Sequence, residues 1–170
     1  MLSNHVILVD INDCEQGTMD KVEAHLKGEL HRAFSIFILN SKNELLLQKR
    51  SELKYHSKGK WSNSCCSHPR PLESLETAVH RRLREELGFD CDLKFKFSFH
   101  YKTELENDLI EHEIDHVYVG YSDCLPVIDK QEVSDWRYAS LADIAAEIKN
   151  NSAAFSVWFP IAFNALKKYV

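Results

Sequence analysis

Apolar residues in the middle of the chain recur with the period of an amphipathic helix. They are separated by three or four residues, namely Leu72, Leu75, Val79, Leu83 and Leu87. Side chains at this spacing share one face of an α-helix, and that face packs on a core. Gly88 follows directly and predicts the end of the helix, because glycine adopts the left-handed conformation without a steric cost.

Shorter apolar runs on both sides of this helix predict β-strands. Residues 34–39 and 44–48 flank an Asn- and Ser-containing segment and predict a β-hairpin, and residues 6–9 predict an edge strand. Further strands are predicted at 93–101, 110–121 and 136–138, and further helices at 141–150 and 155–169. This order of elements predicts an α/β fold in which mixed β-sheets are sandwiched between α-helices.

The size and charge of the chain limit the functions that it can have. With 170 residues and no linker, repeat or low-complexity tract, it is predicted to form a single domain with its core at about 30–150. A net charge of −5 excludes general electrostatic binding to nucleic acid. An anionic substrate therefore requires a local basic cluster.

The N-terminus and the cysteines indicate a cytoplasmic protein. Residues 1–13 lack a basic start, which argues against a signal peptide, and no stretch approaches the roughly 18 apolar residues of a membrane span. The five cysteines are odd in number and two are adjacent, which favours a reducing compartment over a disulfide framework. No long apolar surface stripe demands a protein partner, so a monomer is expected.

Two adjacent glutamates at the end of the predicted helix break a local rule. Glu85 and Glu86 stand in the last turn, where the helix dipole disfavours carboxylates by about 0.3–1 kcal/mol each. Taken alone, the pattern is best explained as a solvated surface pair, supported by Arg81 and Arg82 four residues upstream. The alternative is that one of these carboxylates is a ligand of a divalent cation.

A second set of carboxylates lies on the longest predicted strand. Glu111, Glu113 and Asp115 alternate, so they share one face of the strand, and that face continues as Val117 and Val119. Neighbouring carboxylates repel each other, and a divalent cation between them removes that penalty. A solvent-facing polar strip is the alternative, but the apolar continuation of the face slightly favours a metal site.

The segment 50–71 is predicted to be a long polar and basic loop, and such loops in compact domains usually carry function. Its Cys65 and Cys66 cannot both be buried in one direction, so one of them is expected to face a cavity beneath the loop. His68 could act as a metal ligand or lower the pKa of a thiol. A zinc ribbon is excluded because the chain has no second Cys-rich half.

Three histidines complete a metal site, provided that the fold brings them to the carboxylates. The resulting donor set consists of His25, His31, His68, Glu111 and Glu113. These donors suit zinc, manganese or iron in an octahedral site with one position left for water or substrate. The remaining histidines are expected to be structural: His5, His56, His80, His100, His112 and His116.

Residues 73–89 resemble the second part of the Nudix box, Gly-x5-Glu-x7-Arg-Glu-U-x-Glu-Glu-x-Gly-U, where U is aliphatic or aromatic. The matching residues are Glu73, Arg81, Leu83, Glu85, Glu86, Gly88 and Phe89. Ser67 stands where the first glycine belongs, and Arg82 replaces the glutamate after Arg81. Nudix hydrolases use the helix glutamates to hold magnesium, which activates water at a diphosphate. The arginine therefore weakens hydrolysis and strengthens diphosphate binding.

Over its whole length the chain resembles the type 1 isopentenyl diphosphate isomerases, which have a Nudix-like fold. The order and spacing of residues 61–69, 81–88 and 111–113 carry the resemblance. It implies the interconversion of isopentenyl and dimethylallyl diphosphate, in isoprenoid biosynthesis, by proton addition and removal through a tertiary carbocation. The alternatives are a Nudix hydrolase of a nucleoside diphosphate derivative and a domain that binds metal or ligand without catalysis.

The same resemblance implies roles for individual residues. Cys66 and Glu113 are the implied proton-transfer groups on opposite faces of the substrate, with Tyr101 beside Glu113. One divalent ion (manganese, zinc or magnesium) is implied at His25, His31, His68, Glu111 and Glu113. Glu86 and the carbonyl of Cys66 are the implied ligands of a magnesium ion that binds the substrate diphosphate. The implied substrate-binding residues are Lys21, Arg50, Lys54, Arg82 and Trp158.

Overall fold

The computed structural model describes residues 4–170, which contain nine β-strands and four α-helices. The strands are β1 (His5–Val9), β2 (Glu15–Asp20), β3 (His31–Leu39), β4 (Glu44–Arg50), β5 (Trp61–Ser62), β6 (Cys65–Ser67), β7 (Leu93–Glu104), β8 (Ile110–Tyr121) and β9 (Val133–Ser140). The helices are α1 (Lys21–Lys27), α2 (Leu75–Leu87), α3 (Leu141–Asn150) and α4 (Trp158–Leu166). Within this described part of the chain, no helix combines the length and apolarity needed to cross a membrane.

The strands form one hydrogen-bonded network that divides into two parts. In the first part β3 is central, because it pairs in parallel with β8, which in turn pairs with β7. The other edge of β3 carries β1 at its start and β6 further along. In the second part β4 lies between β5 and β9, and both pairings are antiparallel. The two parts meet where β3 turns into β4.

The turn after β3 is as predicted, but the hairpin prediction is wrong beyond it. Asn40 organises the turn, because its side-chain oxygen accepts hydrogen bonds from the backbone N–H groups of Lys42 and Glu44, each at 2.9 Å. The two strands then pair only at Leu39 and Leu45. They separate because β6 and β8 occupy the edges of β3, while β5 and β9 occupy the edges of β4.

Strand alternation places helices on both faces of the sheet. Phe34, Ile36 and Ile38 of β3 pack in a core with α2. Phe37 and Leu39 point to the other face and pack with α3 and α4. Successive side chains of a strand point in opposite directions, so β3 is buried on both sides and contributes to both cores. The predicted α/β sandwich is therefore confirmed.

Helix α2 begins three residues later than the apolar pattern predicts. Ser74 is its N-cap, and the serine hydroxyl accepts a hydrogen bond of 3.1 Å from the backbone N–H of Thr77. Leu72 therefore lies outside the helix and is 98% exposed. The end is as predicted, because Gly88 is left-handed with φ of 73° and a Cβ there would lie 2.7 Å from the carbonyl oxygen of Val127.

Other boundaries differ where the sequence pattern is weak. β1 is not an edge strand, because β2 pairs along its outer side. The mostly polar residues of β2, none of which is buried, gave no strand signal. The segment predicted as one long loop contains β5 and β6. Helix α4 begins at Trp158, since Phe155 forms a bridge with Trp61. The strands at 93–101, 110–121 and 136–138 and the helix at 141–150 are confirmed.

Candidate active site

The residues that the sequence predicts for the site lie around one cavity of about 250 Å³. Ten of them line it: Lys21, Arg50, Lys54, Cys66, His68, Arg82, Tyr101, Glu111, Glu113 and Trp158. The other three are buried beside it. His25 and His31 contact the cavity glutamates, and Glu86 contacts Arg82. The fold thus brings together side chains that are far apart in the sequence.

Strand register places the carboxylate of Glu113 against its partners. β3 pairs His31 with Glu113, and β7 pairs Tyr101 with the same residue. His31 Nε2 lies 3.2 Å from Glu113 Oε1, and the hydroxyl of Tyr101 donates a hydrogen bond of 2.6 Å to Oε2. His68, just after β6, has its Nε2 2.8 Å from Oε1. One carboxylate is therefore held from three directions.

Four of the five predicted metal ligands lie close enough together to bind one divalent ion. The five residues are named the His/Glu cluster and consist of His25, His31, His68, Glu111 and Glu113. The ligand atoms of the three histidines and Glu113 all lie within 4.8 Å of one another. Glu111 is adjacent, with Oε2 3.4 Å from Nε2 of His25.

Buried atoms without hydrogen-bond partners in the His/Glu cluster also support binding of a divalent ion. The Nε2 atoms of His25 and His31 and Oε2 of Glu111 are buried and have no hydrogen-bond partner. Buried polar atoms without a partner cost free energy, and a bound ion is one way to satisfy them. Imidazole nitrogens together with carboxylate oxygens suit zinc, manganese or iron. The donor set therefore fits a divalent cation.

Burial favours the neutral form of His25 and His68, which is the form that binds a metal. It lowers the pKa of His25, and it lowers the pKa of His68 to about 3 despite the hydrogen bond with Glu113. Burial and the charge of Glu113 raise the pKa of Glu111. Burial acts on Glu113 in the same sense, but the imidazole of His31 at 3.2 Å and the hydrogen-bonded imidazole of His68 outweigh it and hold the pKa of Glu113 well below its usual range.

His56 also lies in this region, although the sequence led us to expect only a structural role for it. Its Nε2 lies 3.5 Å from Oε1 of Glu111, and its ring stacks on His25 with 5.6 Å between the centroids. Burial lowers the pKa of His56 to about 2. The residue stands in an aperiodic loop, so no local pattern in the sequence points to it.

Asp115 is a second cavity residue that was not assigned to the site. One carboxylate oxygen accepts a hydrogen bond of 2.7 Å from the hydroxyl of Ser35, and the other is buried without a partner. Burial, together with the charge of Glu113, raises the pKa of Asp115 well above its usual range. A signal did exist in this case, because Asp115 continues the alternation of the two strand glutamates.

Cys65 and Cys66 point in opposite directions. Cys65 is fully buried in the core beneath α2, whereas Cys66 lines the cavity. Strand β6 holds Cys66 opposite Ser35 of β3. Burial raises the pKa of the Cys66 thiol to about 12, although Arg50, with Nη1 3.8 Å from the sulfur, acts in the other sense. The thiol is therefore protonated at neutral pH.

Trp158 and Arg50 form one wall of the cavity. The indole is 4% exposed, its N–H donates a hydrogen bond of 3.3 Å to Asn63, and the Arg50 guanidinium lies 5.1 Å over its ring. Arg50 also donates a hydrogen bond of 3.2 Å to the carbonyl of His56. These hydrogen bonds and the cation–π contact fix the orientation of both side chains.

The two glutamates at the end of α2 have different environments. Glu85 is exposed, but Glu86 is only 3% exposed, so the expectation of a solvated pair is wrong for Glu86. Arg82 forms a salt bridge with Glu86, and Gln48 donates a hydrogen bond of 3.0 Å to its other oxygen. Glu86 is thus a buried carboxylate next to a cation of the cavity wall.

Six basic side chains line the cavity: Lys21, Arg50, Lys54, Arg70, Arg81 and Arg82. Arg70 and Arg81 were not predicted. Glu132 offsets part of this charge, because it lies 2.5 Å from Nζ of Lys54 and 3.2 Å from Nη2 of Arg82. A protein of net charge −5 therefore carries the local basic cluster that an anionic substrate requires.

Comparisons with known proteins identify similar sequences and folds. A family profile described as NUDIX domain matches residues 29–159. The MutT protein of Methanosarcina mazei Go1 superposes with a TM-score of 0.66 at 23% identity, over 82% of this chain and 94% of that chain. At this identity the superposition supports the fold alone.

Curated relatives match the chain more closely. The Isopentenyl-diphosphate Delta-isomerase of Pectobacterium atrosepticum is 49% identical over 96% of this chain and 92% of its own length. The Isopentenyl-diphosphate Delta-isomerase 2 of Photorhabdus laumondii is 51% identical over 95% of this chain and 91% of its own length.

Proposed function

Because the chain belongs to the isopentenyl-diphosphate Delta-isomerases of the Nudix superfamily, we propose that its cavity interconverts isopentenyl diphosphate and dimethylallyl diphosphate. The reaction moves a carbon–carbon double bond and leaves the diphosphate intact. We assign it to isoprenoid biosynthesis in the cytoplasm. The whole chain, residues 1–170, acts as a single-domain monomer on a small-molecule substrate, without nucleic acid or membrane.

The observation that carries the proposal is that a thiol and a carboxylate line the same cavity. Cys66 and Glu113 both line it, and Tyr101 donates a hydrogen bond to Glu113. An isolated alkene is a very weak base, so moving its double bond requires protonation at one carbon and proton removal from another. One acid–base group on each face of the substrate meets this need. The two groups exchange roles in the reverse reaction.

The tertiary carbocation between the two proton transfers needs protection from water. Trp158 and Tyr101 supply aromatic surface, and both side chains are buried. The π face of an indole stabilises a nearby cation by about 0.5–2 kcal/mol. A pocket that excludes water also prevents capture of the cation as an alcohol. We therefore assign Trp158 to stabilisation of the carbocation.

The diphosphate is proposed to bind at the basic part of the cavity. Lys21, Arg50, Lys54 and Arg82 line it, and Arg82 reaches the buried Glu86. Glu86 and the backbone carbonyl of Cys66 are the proposed protein ligands of a magnesium ion that accompanies the diphosphate. Binding here performs no bond cleavage, but it holds the five-carbon chain between the proton-transfer groups.

The His/Glu cluster is proposed to hold the second divalent ion, which is manganese, zinc or magnesium. Its orphaned nitrogen and oxygen atoms fit this role. The ion would supply positive charge that tunes the acidity of the carboxyl group of Glu113. Tyr101 and the strand register orient that carboxyl group toward the substrate.

A Nudix hydrolase of a nucleoside diphosphate derivative is not favoured by the residues present. Where the box carries a glutamate this chain has Arg82, whose guanidinium contacts Glu86 and Glu132. A cation at this position removes one ligand of the water-activating magnesium and competes for another.

Proton NMR of isopentenyl diphosphate with the protein and divalent metal in deuterated water tests the proposal. We expect dimethylallyl diphosphate to appear, deuterium to enter the carbon that receives the proton, and no phosphate to be released. Cys66→Ala is expected to abolish the double-bond shift, whereas Cys14→Ala, at an exposed cysteine outside the cavity, should retain it. Phosphate release without a double-bond shift would contradict the function, and full activity of Cys66→Ala would contradict the role of the thiol.

A further inference from the structure

We infer that His56 is an additional ligand of the ion held by the His/Glu cluster, so that four histidines and two glutamates surround it. The inference rests on the metal centre of the proposed function and extends it. His56 lies in the loop after β4, yet its side chain is 4% exposed and lines the cavity. A buried imidazole next to the carboxylate of Glu111 has the chemistry of a ligand.

The distances around Glu111 match those between ligands of one ion. The ligand atoms of His25, His56 and Glu111 lie within 4.8 Å of one another. Glu111 has Oε2 3.4 Å from Nε2 of His25 and Oε1 3.5 Å from Nε2 of His56. Two donors at about 2.1 Å from an ion and at right angles to each other are about 3 Å apart. A separation of 3.5 Å is long for a direct hydrogen bond.

The protonation of His25 argues for one ion and against two. Nδ1 of His25 lies 2.6 Å from the carbonyl oxygen of Lys21, so this nitrogen carries the proton and Nε2 carries the lone pair. His25 belongs both to the group with His31, His68 and Glu113 and to the group with His56 and Glu111. One lone pair binds one ion, so the two groups that share His25 can hold only one ion through it.

The loop holds His56 in a fixed orientation. Its Nδ1 lies 3.2 Å from the hydroxyl of Ser57, and its carbonyl accepts a hydrogen bond of 3.2 Å from Arg50. The ring of Tyr55 packs against it edge to face at 4.5 Å. Polar partners on the far nitrogen are typical of metal-bound histidines, because they fix the ring and the tautomer.

Packing against Trp158 does not account for these features by itself. The rings of His56 and Trp158 do meet edge to face, with 5.9 Å between centroids. A phenyl ring would pack there equally well, and it would not bring a nitrogen to Glu111. With six protein ligands the octahedral shell is full, so the centre positions Glu113 and leaves no place for a reactive water. This differs from the open position expected from the five predicted ligands.

Pulsed electron paramagnetic resonance of the full-length protein loaded with Mn²⁺ tests the inference. The spectra count the imidazole nitrogens bound to the ion, and we expect four in the wild type. His56→Gln keeps a hydrogen-bond donor but removes the imidazole, so three nitrogens are expected, with a Mn²⁺ affinity lower by at least about tenfold in chelator competition. His80→Gln, at a histidine outside the cavity that pairs with Asp90, should match the wild type in both measurements.

The experiment can contradict the assignment of His56 as a ligand in two ways. Three imidazole nitrogens in the wild type, or an unchanged number in His56→Gln, would overturn the inference, even if affinity falls. The number of bound imidazole nitrogens in the wild type is measured without the variant, so the inference is still tested if His56→Gln does not fold. Failure of the proposed function would show separately, as wild-type protein that leaves isopentenyl diphosphate unchanged in the NMR experiment.

Discussion

The site around the cavity has two parts that are built in different ways. In the strand-borne part, His31, Tyr101 and Glu113 stand side by side on β3, β7 and β8, where backbone pairing fixes their register. In the other part, Lys54 and Arg82 come from a loop and a helix. Their positions depend on side-chain salt bridges to shared carboxylates.

In the proposed function, this difference corresponds to two different tasks. Proton transfer to carbon requires the acid and the base to be held to within about 0.5 Å, and paired strands give that precision. A diphosphate has several equivalent oxygens, so its binding tolerates longer and more mobile side chains. Substitutions in the strand-borne part should therefore stop the chemistry, whereas those in the helix- and loop-borne part should weaken binding.

Glu113→Gln should have the largest effect. The amide retains the size of the carboxyl group but cannot exchange a proton, so turnover should fall by about 10⁴-fold. Substrate binding, measured by calorimetry, should persist because the basic side chains are unchanged. Glu104→Gln, an exposed residue of the neighbouring strand β7, is the matched control. Equal loss of binding and turnover would contradict the proposal that the strand-borne residues act in proton transfer and not in substrate binding.

The Cys66 thiol should resist alkylation at pH 8. The thiolate is the reactive form, and with a pKa of about 12 only about one thiol in 10⁴ is ionised at that pH. Iodoacetamide should therefore modify the exposed Cys14 at least about 10³-fold faster, by mass spectrometry of the peptides. The rate at Cys66 should rise with pH up to about 12. A rate equal to that of Cys14 at pH 8 would show an ionised thiol.

Arg82→Ala should act mainly on binding. Loss of a charged hydrogen-bond donor to the diphosphate should raise KM by about 10–100-fold, with a smaller change in kcat. The variant also leaves Glu86 and Glu132 with one cation fewer, so kinetics should be measured below its lowered Tm. Arg84→Ala removes an exposed arginine of the same helix and should leave KM unchanged. A fall in kcat at constant KM would assign Arg82 to the chemistry instead.

Trp158→Leu should have the smallest effect of the four. If the indole stabilises the carbocation by about 0.5–2 kcal/mol, kcat should fall about 2–30-fold while KM changes little. Trp136→Leu, at a half-buried tryptophan of β9 that does not line the cavity, controls for general loss of packing. Equal kcat values in the two variants would contradict stabilisation of the carbocation by Trp158 and leave it only a role in the cavity wall.

The sequence predicted best what depends on local periodicity. Alternation on β8 placed Glu111 and Glu113 on one face, and helical spacing followed by Gly88 gave the end of α2. Local patterns could not show that β3 lies between β6 and β8, because these partners are distant in the sequence. The hairpin error has this origin.

The same contrast between local patterns and long-range contacts applies to the residues of the site. Resemblance to a known family brought in His25 and His31, which no local pattern connects to the strand glutamates. His56 was missed because its loop has no period, and its position depends on the contacts of that loop with Arg50 and Ser57. The burial of Glu86 was hidden as well, since Gln48, which supports it, lies on a distant strand.

The opposed directions of Cys65 and Cys66 have a consequence for the evolution of this protein. A single peptide unit, with about 3.8 Å between its Cα atoms, connects a side chain of the core beneath α2 to the sulfur that lines the cavity. A change of packing volume under α2 can therefore reach the thiol through one peptide unit, and Cys66 itself packs against the other core, which contains Tyr101 and Trp158. Adaptation to heat or cold by core substitutions on either face is therefore constrained by turnover.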